Sequence, residues 1–307
     1  MQEKILKYLK HTKIDYGKWD QCILNAVNSR IYATTWFLER TATVWDALVY
    51  GDYEYVMPLP VRKKWGINYV YQPYFCQQLG IFPPPSLEIQ MEFADELVKR
   101  FRFMHFQVTP HLAPDAFTQF EFSQRINYIL PLHESYSTIA LQFKKRAQAN
   151  IANAYKHGIR VVEALDAIKY IRMNKQQVAF NVDRESFTML SKLISSGQTA
   201  GKGHILAAYT PDNEVCAAAF FLRSGNRLVY LNAFSTAEGK RYNAMYAILN
   251  EFIRKNASSG YLLDFEGSTL EGVAHFYKSF SPTEEIYYQL YLNRLPYPFN
   301  LLKKYSG

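Results

Sequence analysis

The sequence has few cysteines, and their spacing excludes two common kinds of covalent or metal reinforcement. Cys22, Cys76 and Cys216 are an odd number of widely separated residues, which gives neither a disulfide framework nor a zinc site. No run approaches the roughly 18 apolar residues of a membrane-spanning helix, and charges are scattered through residues 1–10, where a signal peptide needs an apolar core. These absences predict a cytoplasmic protein with reduced thiols, no metal ion and no transmembrane segment.

Acidic residues are in the minority. The 307 residues include 35 lysines and arginines against 27 aspartates and glutamates, which gives a formal net charge of +8. This excess favours an anionic partner such as a nucleotide, coenzyme A or RNA, although a solvated basic surface explains it equally well. Because 49% of the residues are apolar, the chain can bury one large core or two ordinary ones.

One order of elements occurs twice along the chain. Residues 52–100 and 212–256 both read as a turn, a strand, a polar turn, a second strand, an irregular loop and a helix, and another strand follows each copy. A basic helix over 135–157 precedes the second copy. This order predicts an α/β (α+β) protein of two domains, 1–134 and 135–307, in which helices flank mixed sheets.

The loop before the helix predicted at 239–256 has the features of an anion site. A loop that opens directly into a helix presents unpaired backbone amides and a positive helix terminus. A glycine there lets the backbone approach a ligand, and two cations follow it. The residues that we predict to bind the anionic part of a donor substrate are Phe234, Ser235, Gly239, Lys240, Arg241 and Asn243. The alternative is an ordinary capped helix whose basic first turn is solvated.

A strand predicted at 261–265 runs into an acidic segment. Strand alternation would place Asp264, Glu266 and Ser268 on one face and the apolar residues between them on the other. Sites in α/β proteins usually lie at the carboxyl ends of strands, and a carboxylate there can take a proton from an attacking amine. We therefore predict that Glu266 is catalytic and that Asp264 and Ser268 bind the acceptor, which is the substrate that carries the amine. The alternative is a turn in which Asp264 and Ser268 satisfy backbone amides.

A short helix predicted over 272–280 follows the acidic segment. It presents Tyr277 and Lys278 near the end of the strand. A cation aimed at developing negative charge stabilises a tetrahedral intermediate, so Lys278 is the second predicted catalytic residue and Tyr277 is assigned to acceptor binding. A single helical lysine is more often solvent-exposed, and the prediction depends on the acidic strand before it.

These residues resemble the FemAB/FemX-like aminoacyltransferases, which are tandem GNAT-fold enzymes of cell-wall peptide synthesis. In that family a strand of the type Asp-Phe-x-Gly is followed by Phe-Lys-x-x-Phe-Gly. Here Asp-Phe-Glu-Gly at 264–267 precedes Phe-Tyr-Lys-Ser-Phe at 276–280. The basic helix, glycine and strand over 143–162 are also similar to the family's. Two departures are the tyrosine inserted before the lysine and the Ser-Pro pair at 281–282, where the family has glycine.

The resemblance implies two fused GNAT-like domains that transfer an acyl group to an amine acceptor. The donor would be acyl-CoA or aminoacyl-tRNA, and tRNA would be a partner in the second case. The acetyl-CoA signature of simple GNAT enzymes, Gln or Arg-x-x-Gly-x-Gly or Ala, is not kept, because residues 239–244 retain only a glycine, two cations and a small residue. The sequence does not decide between the two donors or name the acceptor.

The N-terminal copy carries no general base in the loop equivalent to 232–240. Gln72 and Gln77 lie in that loop, and we assign both to acceptor binding. A different reading of the whole chain is a non-catalytic RNA- or protein-binding module that keeps the fold. Its phosphate track would consist of Lys144, Lys145, Arg146, Lys156 and Arg160.

Overall fold

Two compact units make up the chain. The computed structural model describes residues 5–163, 165–177, 184–267 and 270–302. The first unit comprises Met1–Arg125 and Ile286–Gly307, and the second is Ile126–Glu285. This division differs from the predicted boundary at residue 134, because the C-terminal residues return to the first unit and extend its sheet.

The described chain up to residue 131 has a strand, two helices, three strands, a helix and two further strands. Its elements are β1 (Leu6–Leu9), α1 (Tyr16–Asn25), α2 (Thr35–Thr41), β2 (Trp45–Tyr50), β3 (Tyr55–Lys64), β4 (Ile67–Tyr71), α3 (Leu87–Arg100), β5 (Phe103–Val108) and β6 (Glu121–Pro131). Short 3₁₀ turns lie at His11–Lys13, Ile31–Ala33 and Pro114–Ala116.

The rest of the chain repeats this pattern after two added helices. Its elements are α4 (Tyr136–Leu141), α5 (Lys145–Lys156), β7 (Arg160–Val162), α6 (Ala167–Gln177), α7 (Arg184–Thr199), β8 (Gly203–Tyr209), β9 (Val215–Ser224), β10 (Arg227–Ser235), α8 (Ala237–Arg241), α9 (Ala244–Asn256), β11 (Leu262–Asp264), α10 (Glu271–Lys278), β12 (Thr283–Asn293) and α11 (Phe299–Leu302).

The strand order is the same in both units. It is β1-β2-β3-β4-β5-β12 in the first and β7-β8-β9-β10-β11-β6 in the second. In each unit the fourth and fifth strands, β4 with β5 and β10 with β11, are parallel, and the other pairs are antiparallel. The mixed α/β architecture predicted from the sequence is therefore confirmed.

The core of the second unit lies on both faces of β9. Its three consecutive alanines at 217–219 are fully buried, as expected for a strand covered by helices on both sides. On one face Phe221 stacks on Phe252 of α9, with ring centroids 3.6 Å apart and planes 7° apart. On the other face Gly197 of α7 lies so close to Phe220 that a Cβ would stand 3.3 Å from its ring. These contacts hold β10, the neighbour of β9, in the middle of the sheet.

Two helices predicted as continuous are each divided in two. The predicted helix over 135–157 breaks between α4 and α5, because Lys144 is extended and its N–H donates to the carbonyl oxygen of Ser279 (2.9 Å). The predicted helix over 239–256 breaks between α8 and α9, because Asn243 adopts a left-handed conformation with φ 58°. The second break changes the shape of the loop that the sequence indicates as an anion site.

Candidate active site

The parallel strands β10 and β11 separate at their carboxyl ends. Their pairing ends at Val229 opposite Asp264, and β10 carries a bulge against β9 just beyond that point. From there residues 230–235 and 265–267 form two walls of a cavity of about 580 Å³. Its other walls come from the α8–α9 junction and α10, through Gly239, Lys240, Asn243, Met245, Tyr246, Gly272, Val273, Phe276 and Tyr277. The volume suits a small ligand or the reactive end of a larger one.

The cavity brings together most of the residues predicted from separate segments. Apolar and aromatic side chains form most of the lining, and a few polar groups face them. The predicted donor-binding residues in the lining are Phe234, Ser235, Gly239, Lys240 and Asn243, joined by Glu266 and Tyr277 from the other predicted sets. Arg241 is exposed outside the lining, with its guanidinium 5.4 Å from the centroid of the Tyr242 ring.

Packing within the protein is sufficient to require a glycine at position 239. A Cβ on Gly239 would stand 2.1 Å from the carbonyl oxygen of Cys216. The neighbouring amides are also engaged: the Gly239 N–H donates to Thr236 Oγ1 (3.1 Å), and the Lys240 N–H donates to the Thr236 carbonyl oxygen (3.0 Å). The sequence predicted unpaired backbone amides beside a conformationally permissive glycine. This prediction is wrong for the amides of Gly239 and Lys240, because both are hydrogen-bonded to Thr236.

The acidic segment leaves the strand conformation earlier than the sequence predicts. Glu266 and Gly267 have φ values of 61° and 65°, and the Glu266 N–H donates to Asp264 Oδ1 (3.0 Å). A Cβ on Gly267 would stand 2.1 Å from the carbonyl oxygen of Ile126. This turn places Glu266 in the cavity wall while Asp264 stays outside it, so the predicted shared face is wrong for this pair. Ser268 lies outside the described residues.

Asp264 belongs to a buried ion-pair network. Its side chain is 1% exposed, Oδ2 accepts from Arg227 Nη1 (2.7 Å), and Oδ1 accepts from Asn127 Nδ2 (2.9 Å). Arg227 Nη2 also donates to Glu285 Oε1 (2.9 Å). Burial opposes the charge on Arg227, but the two carboxylates raise its pKa above the usual value. Asp264 therefore holds the backbone of Glu266, a role that differs from the predicted contact with an acceptor.

The two predicted residues of α10 point to different surroundings. Lys278 is absent from the cavity lining described above; its Nζ pairs with Glu284 (3.1 Å), which raises the pKa of Lys278, and lies 5.5 Å from the centroid of the Tyr128 ring. Tyr277 lines the cavity and is buried. Burial, with a smaller contribution from the negative charge of Glu266, raises the pKa of Tyr277 far above its ordinary value. Tyr277 therefore stays protonated at neutral pH and can donate a hydrogen bond.

A polar cluster that sequence reasoning missed supports the bulge of β10. The buried hydroxyl of Tyr170 lies 2.8 Å from Asn232 Oδ1 and 2.9 Å from the Asn232 carbonyl oxygen. Asn174 Nδ2 donates to the same Oδ1 (2.6 Å). Tyr170 and Asn174 are four residues apart on α6, so they share one helix face. The sequence feature that indicates such a cluster is the presence of a tyrosine and an asparagine on the buried face of an amphipathic helix.

In the first unit, Gln72 and Gln77 stabilise a loop. Gln72 Nε2 donates to the carbonyl oxygens of Cys76 and Gln77, the latter at 3.3 Å, and Gln72 Oε1 accepts the N–H of Gln107 (2.7 Å). Gln77 is buried, and its Oε1 accepts from Gln78 Nε2 (2.9 Å). Both glutamines thus make internal contacts, and their predicted contact with an acceptor stays a prediction.

Neither a metal site nor a membrane-spanning helix is found. The described residues contain no group of three or more histidine, cysteine, aspartate or glutamate side chains placed to hold a metal ion. In the same part of the chain, no helix is long and apolar enough to cross a membrane. The five cations of the predicted phosphate track are all exposed.

Solved structures share this architecture although their sequences have diverged. No protein-family model and no curated protein matches the sequence. The crystal structure of FemX matches with a TM-score of 0.66 at 13% identity, over 94% of this chain and 97% of that chain. A tandem GNAT protein from the clavulanic acid biosynthesis pathway, solved without AcCoA, matches with a TM-score of 0.60 at 10% identity, over 95% and 99%. L-PGS from Bacillus licheniformis matches with a TM-score of 0.52 at 12% identity, over 84% and 87%.

The chain has the FemX-like tandem GNAT fold. The fold implied by the resemblance at 264–267 and 276–280 is thus confirmed. Within the tandem GNAT fold, the cavity between β10 and β11 lies in the second copy. At such low identity the likeness extends to the fold alone, and the chemistry depends on the residues of this chain.

Proposed function

We propose that the second unit is an N-acyltransferase or aminoacyltransferase, which moves an acyl group from an acyl-CoA or an aminoacyl-tRNA to an amine. The observation that carries this proposal is the open gap between β10 and β11, with Glu266 in its wall and Tyr277 beside it. A carboxylate and a protonated hydroxyl facing one largely apolar cavity suit proton transfer during acyl transfer. The shared fold with FemX and a tandem GNAT protein supports the same class by analogy.

In the proposed reaction Glu266 removes the proton of the attacking amine. The amine nitrogen bonds to the carbonyl carbon of the donor, and the carbonyl oxygen takes the negative charge of the tetrahedral intermediate. Tyr277, which is protonated at neutral pH as tyrosines ordinarily are, donates a hydrogen bond to that oxygen. The intermediate collapses when the bond to the thioester sulfur or the ribose oxygen breaks, and the proton that Glu266 took from the amine passes to the leaving group. Lys278 could serve as the oxyanion partner only after leaving Glu284, so we assign this contact to Tyr277.

The anionic part of the donor is assigned to side chains and not to a backbone cradle. The amides of Gly239 and Lys240 are already bonded to Thr236, whereas the Lys240 side chain is exposed and its residue lines the cavity. Arg241 is exposed next to it. Both candidate donors carry phosphates, and a pair of exposed cations suits either of them.

A comparison of donors tests the proposal. The thermal unfolding of the protein is measured with acetyl-CoA, longer acyl-CoAs, aminoacylated tRNA and uncharged tRNA. A donor at 100 times its Kd adds about 2.7 kcal/mol to the free energy of unfolding. The matched control is Ala233→Trp, which fills the cavity and should abolish the shift. No response to any acyl donor, or an equal response in Ala233→Trp, contradicts the proposal.

Glu266→Gln separates catalysis from binding. The amide keeps the size of the side chain but cannot accept the proton, so turnover should fall by about 10²- to 10⁴-fold, with the Kd of the donor unchanged. Glu238→Gln is the control, because Glu238 is an exposed carboxylate on α8 outside the cavity lining. Equal turnover of Glu266→Gln and the wild type would remove Glu266 from the mechanism.

A further inference from the structure

The tip of the β3–β4 hairpin in the first unit presents an aromatic ring to solvent. Lys64 pairs with Ile67 across the tip, and the two turn residues, Trp65 and Gly66, have φ values of 50° and 79°. Trp65 is 60% exposed as a residue, although tryptophan is among the side chains that gain most from burial. A bulky residue held at positive φ on an exposed turn is uncommon.

An apolar groove continues from this ring past the end of β3 and the starts of β4 and β5. It is lined by Lys64, Trp65, Ile67, Tyr69, Phe103, Leu295 and Phe299. The Trp65 and Phe299 ring centroids are 5.4 Å apart. Tyr297, two residues before Phe299, is 79% exposed. No acidic residue occurs among the described residues that line this groove.

Cations lie next to the groove residues along the chain. Lys63 and Lys64 end β3. Arg102 and Arg294 immediately precede Phe103 and Leu295, and the backbone N–H of Arg294 donates to the carbonyl oxygen of Arg102 (2.7 Å). All four side chains belong to exposed residues. Within the described part of the chain, none of the four pairs with a carboxylate. We define the lipid-facing surface as Lys63, Lys64, Trp65, Arg102, Arg294 and Tyr297.

We infer that the lipid-facing surface docks the first unit on an anionic phospholipid bilayer. Tryptophan and tyrosine favour the membrane interface, where an apolar ring is buried and its polar edge stays wet. Lysine and arginine near the bilayer surface are attracted to anionic headgroups, and their alkyl stems can lie along the groove. The combination of exposed aromatic rings, an apolar groove and exposed cations matches a negatively charged surface with an apolar interior. This inference does not depend on the transfer chemistry proposed for the second unit.

A bilayer fits this surface better than single-stranded RNA does. RNA-binding surfaces stack successive bases on aromatic faces and combine this with contacts to the backbone. Here the ammonium of Lys64 lies 4.6 Å from the centroid of the Trp65 ring, so one face of that ring is already covered. The groove is lined mainly by aliphatic and aromatic carbon, but its volume is only about 30 Å³. It therefore adds apolar contact area for the bilayer interface and does not enclose a base or an acyl chain.

Cosedimentation of the full chain with vesicles tests the inference. The probes are vesicles of phosphatidylcholine alone and vesicles in which about one third is phosphatidylglycerol, at low and high salt. We expect binding to the anionic vesicles only, weakened by salt, with a blue shift of tryptophan fluorescence. Trp65→Asn removes the ring while asparagine tolerates the left-handed turn, and it should abolish the blue shift and lower the partition coefficient at least about tenfold.

Charge reversal is the second test of the inference. Lys63→Glu/Lys64→Glu should lower the partition coefficient at least about tenfold, whereas Lys145→Glu/Arg146→Glu, the same charge change on α5 of the second unit, should leave most of the binding. Far-ultraviolet circular dichroism shows that each variant is folded. Failure of the wild type to bind anionic vesicles overturns the inference, as does equal binding by all variants. A loss of RNA affinity or of dimerisation in Trp65→Asn without vesicle binding by the wild type also overturns it.

Discussion

Each unit contains an equivalent pair of parallel strands, but the gap at the end of this pair is filled in the first unit and open in the second. In the first unit β4 and β5 pair as far as Tyr71, and the chain then returns into the gap. Leu79 donates its N–H to the Gln107 carbonyl oxygen (2.9 Å) and accepts the Thr109 N–H (2.9 Å), and the Gln72 side chain accepts the Gln107 N–H. In the second unit the gap beyond β11 stays open as the cavity.

This difference shows how a duplicated fold can have one site. Parallel strands that diverge leave backbone groups and apolar side chains without neighbours, and these must be covered by the protein or by a ligand. The first unit covers them with its own loop, in which Leu79 is fully buried. The second unit anchors the diverging strand with the buried pair Arg227–Asp264 instead. A gap closed by a loop suits a scaffold, and a gap held open suits a ligand.

The largest expected effect comes from removing that anchor. Arg227→Met leaves Asp264 buried without its cation, and breaking such a pair costs about 3–5 kcal/mol. Chemical denaturation should show this loss in the free energy of unfolding. In Arg227→Met/Asp264→Leu the fully buried carboxylate is removed as well, and only Glu285, whose side chain is 26% exposed, is left without its cation, so we expect part of the stability to return.

Arg254→Met is the matched control for this prediction. Arg254 also pairs with a carboxylate, Glu251, but its side chain is 55% exposed, so the unfolding midpoint should not change. A loss of stability as large as that of Arg227→Met would show that arginine substitutions are costly regardless of burial, and the proposed anchor would lose its support.

The next effect concerns the closed gap. Leu79→Ala removes a fully buried side chain from the loop of the first unit, which should lower the free energy of unfolding by about 3 kcal/mol without changing acyl transfer. Leu141→Ala is the control, because Leu141 is 81% exposed. If Leu79→Ala gained a second thermal response to an acyl donor, the first unit would hold a latent site and the contrast between the units would fail.

The fold was more predictable from the sequence than the site. The order of strands and helices in both copies depends on local periodicity and turn residues, which a sequence displays directly. The breaks at Lys144 and Asn243 depend on a distant hydrogen bond and on a left-handed residue, and β1, α1, α2 and β12 were not predicted. For the site, Glu266 was indicated by its place after a strand, and the cavity contains it.

The remaining parts of the site required tertiary information. Alternation failed at Glu266 because the Asp264 side chain captures its N–H and turns the chain. Gly239 was attributed to a ligand, whereas the carbonyl of Cys216, from another strand, requires it. Tyr170 approaches Asn232 from 62 residues away, and no local pattern indicates that contact.

The smallest expected effect concerns one glutamate in each unit, Glu39 in the first and Glu163 in the second. Glu39 accepts hydrogen bonds from His11, Tyr16 and Trp45, and Glu163 accepts hydrogen bonds from His204 and Lys255. Burial acts to raise the pKa of each carboxyl group, but the partners outweigh burial, so both pKa values are lowered. A carboxyl whose folded pKa lies below its unfolded value of about 4.3 adds stability above that pH. The added stability is lost as pH falls through the folded pKa.

The size and the test of this last prediction follow from exposure. The two side chains are 37% and 40% exposed, so solvent screening limits each contribution to under about 1 kcal/mol. Glu39→Gln and Glu163→Gln should each lower the thermal midpoint slightly at pH 7 and converge on the wild type at acid pH. Because His11, Tyr16 and Trp45 all contact Glu39, we expect the larger change in the first unit, where the polar groups serve stability. A larger change for Glu163→Gln would reverse that order.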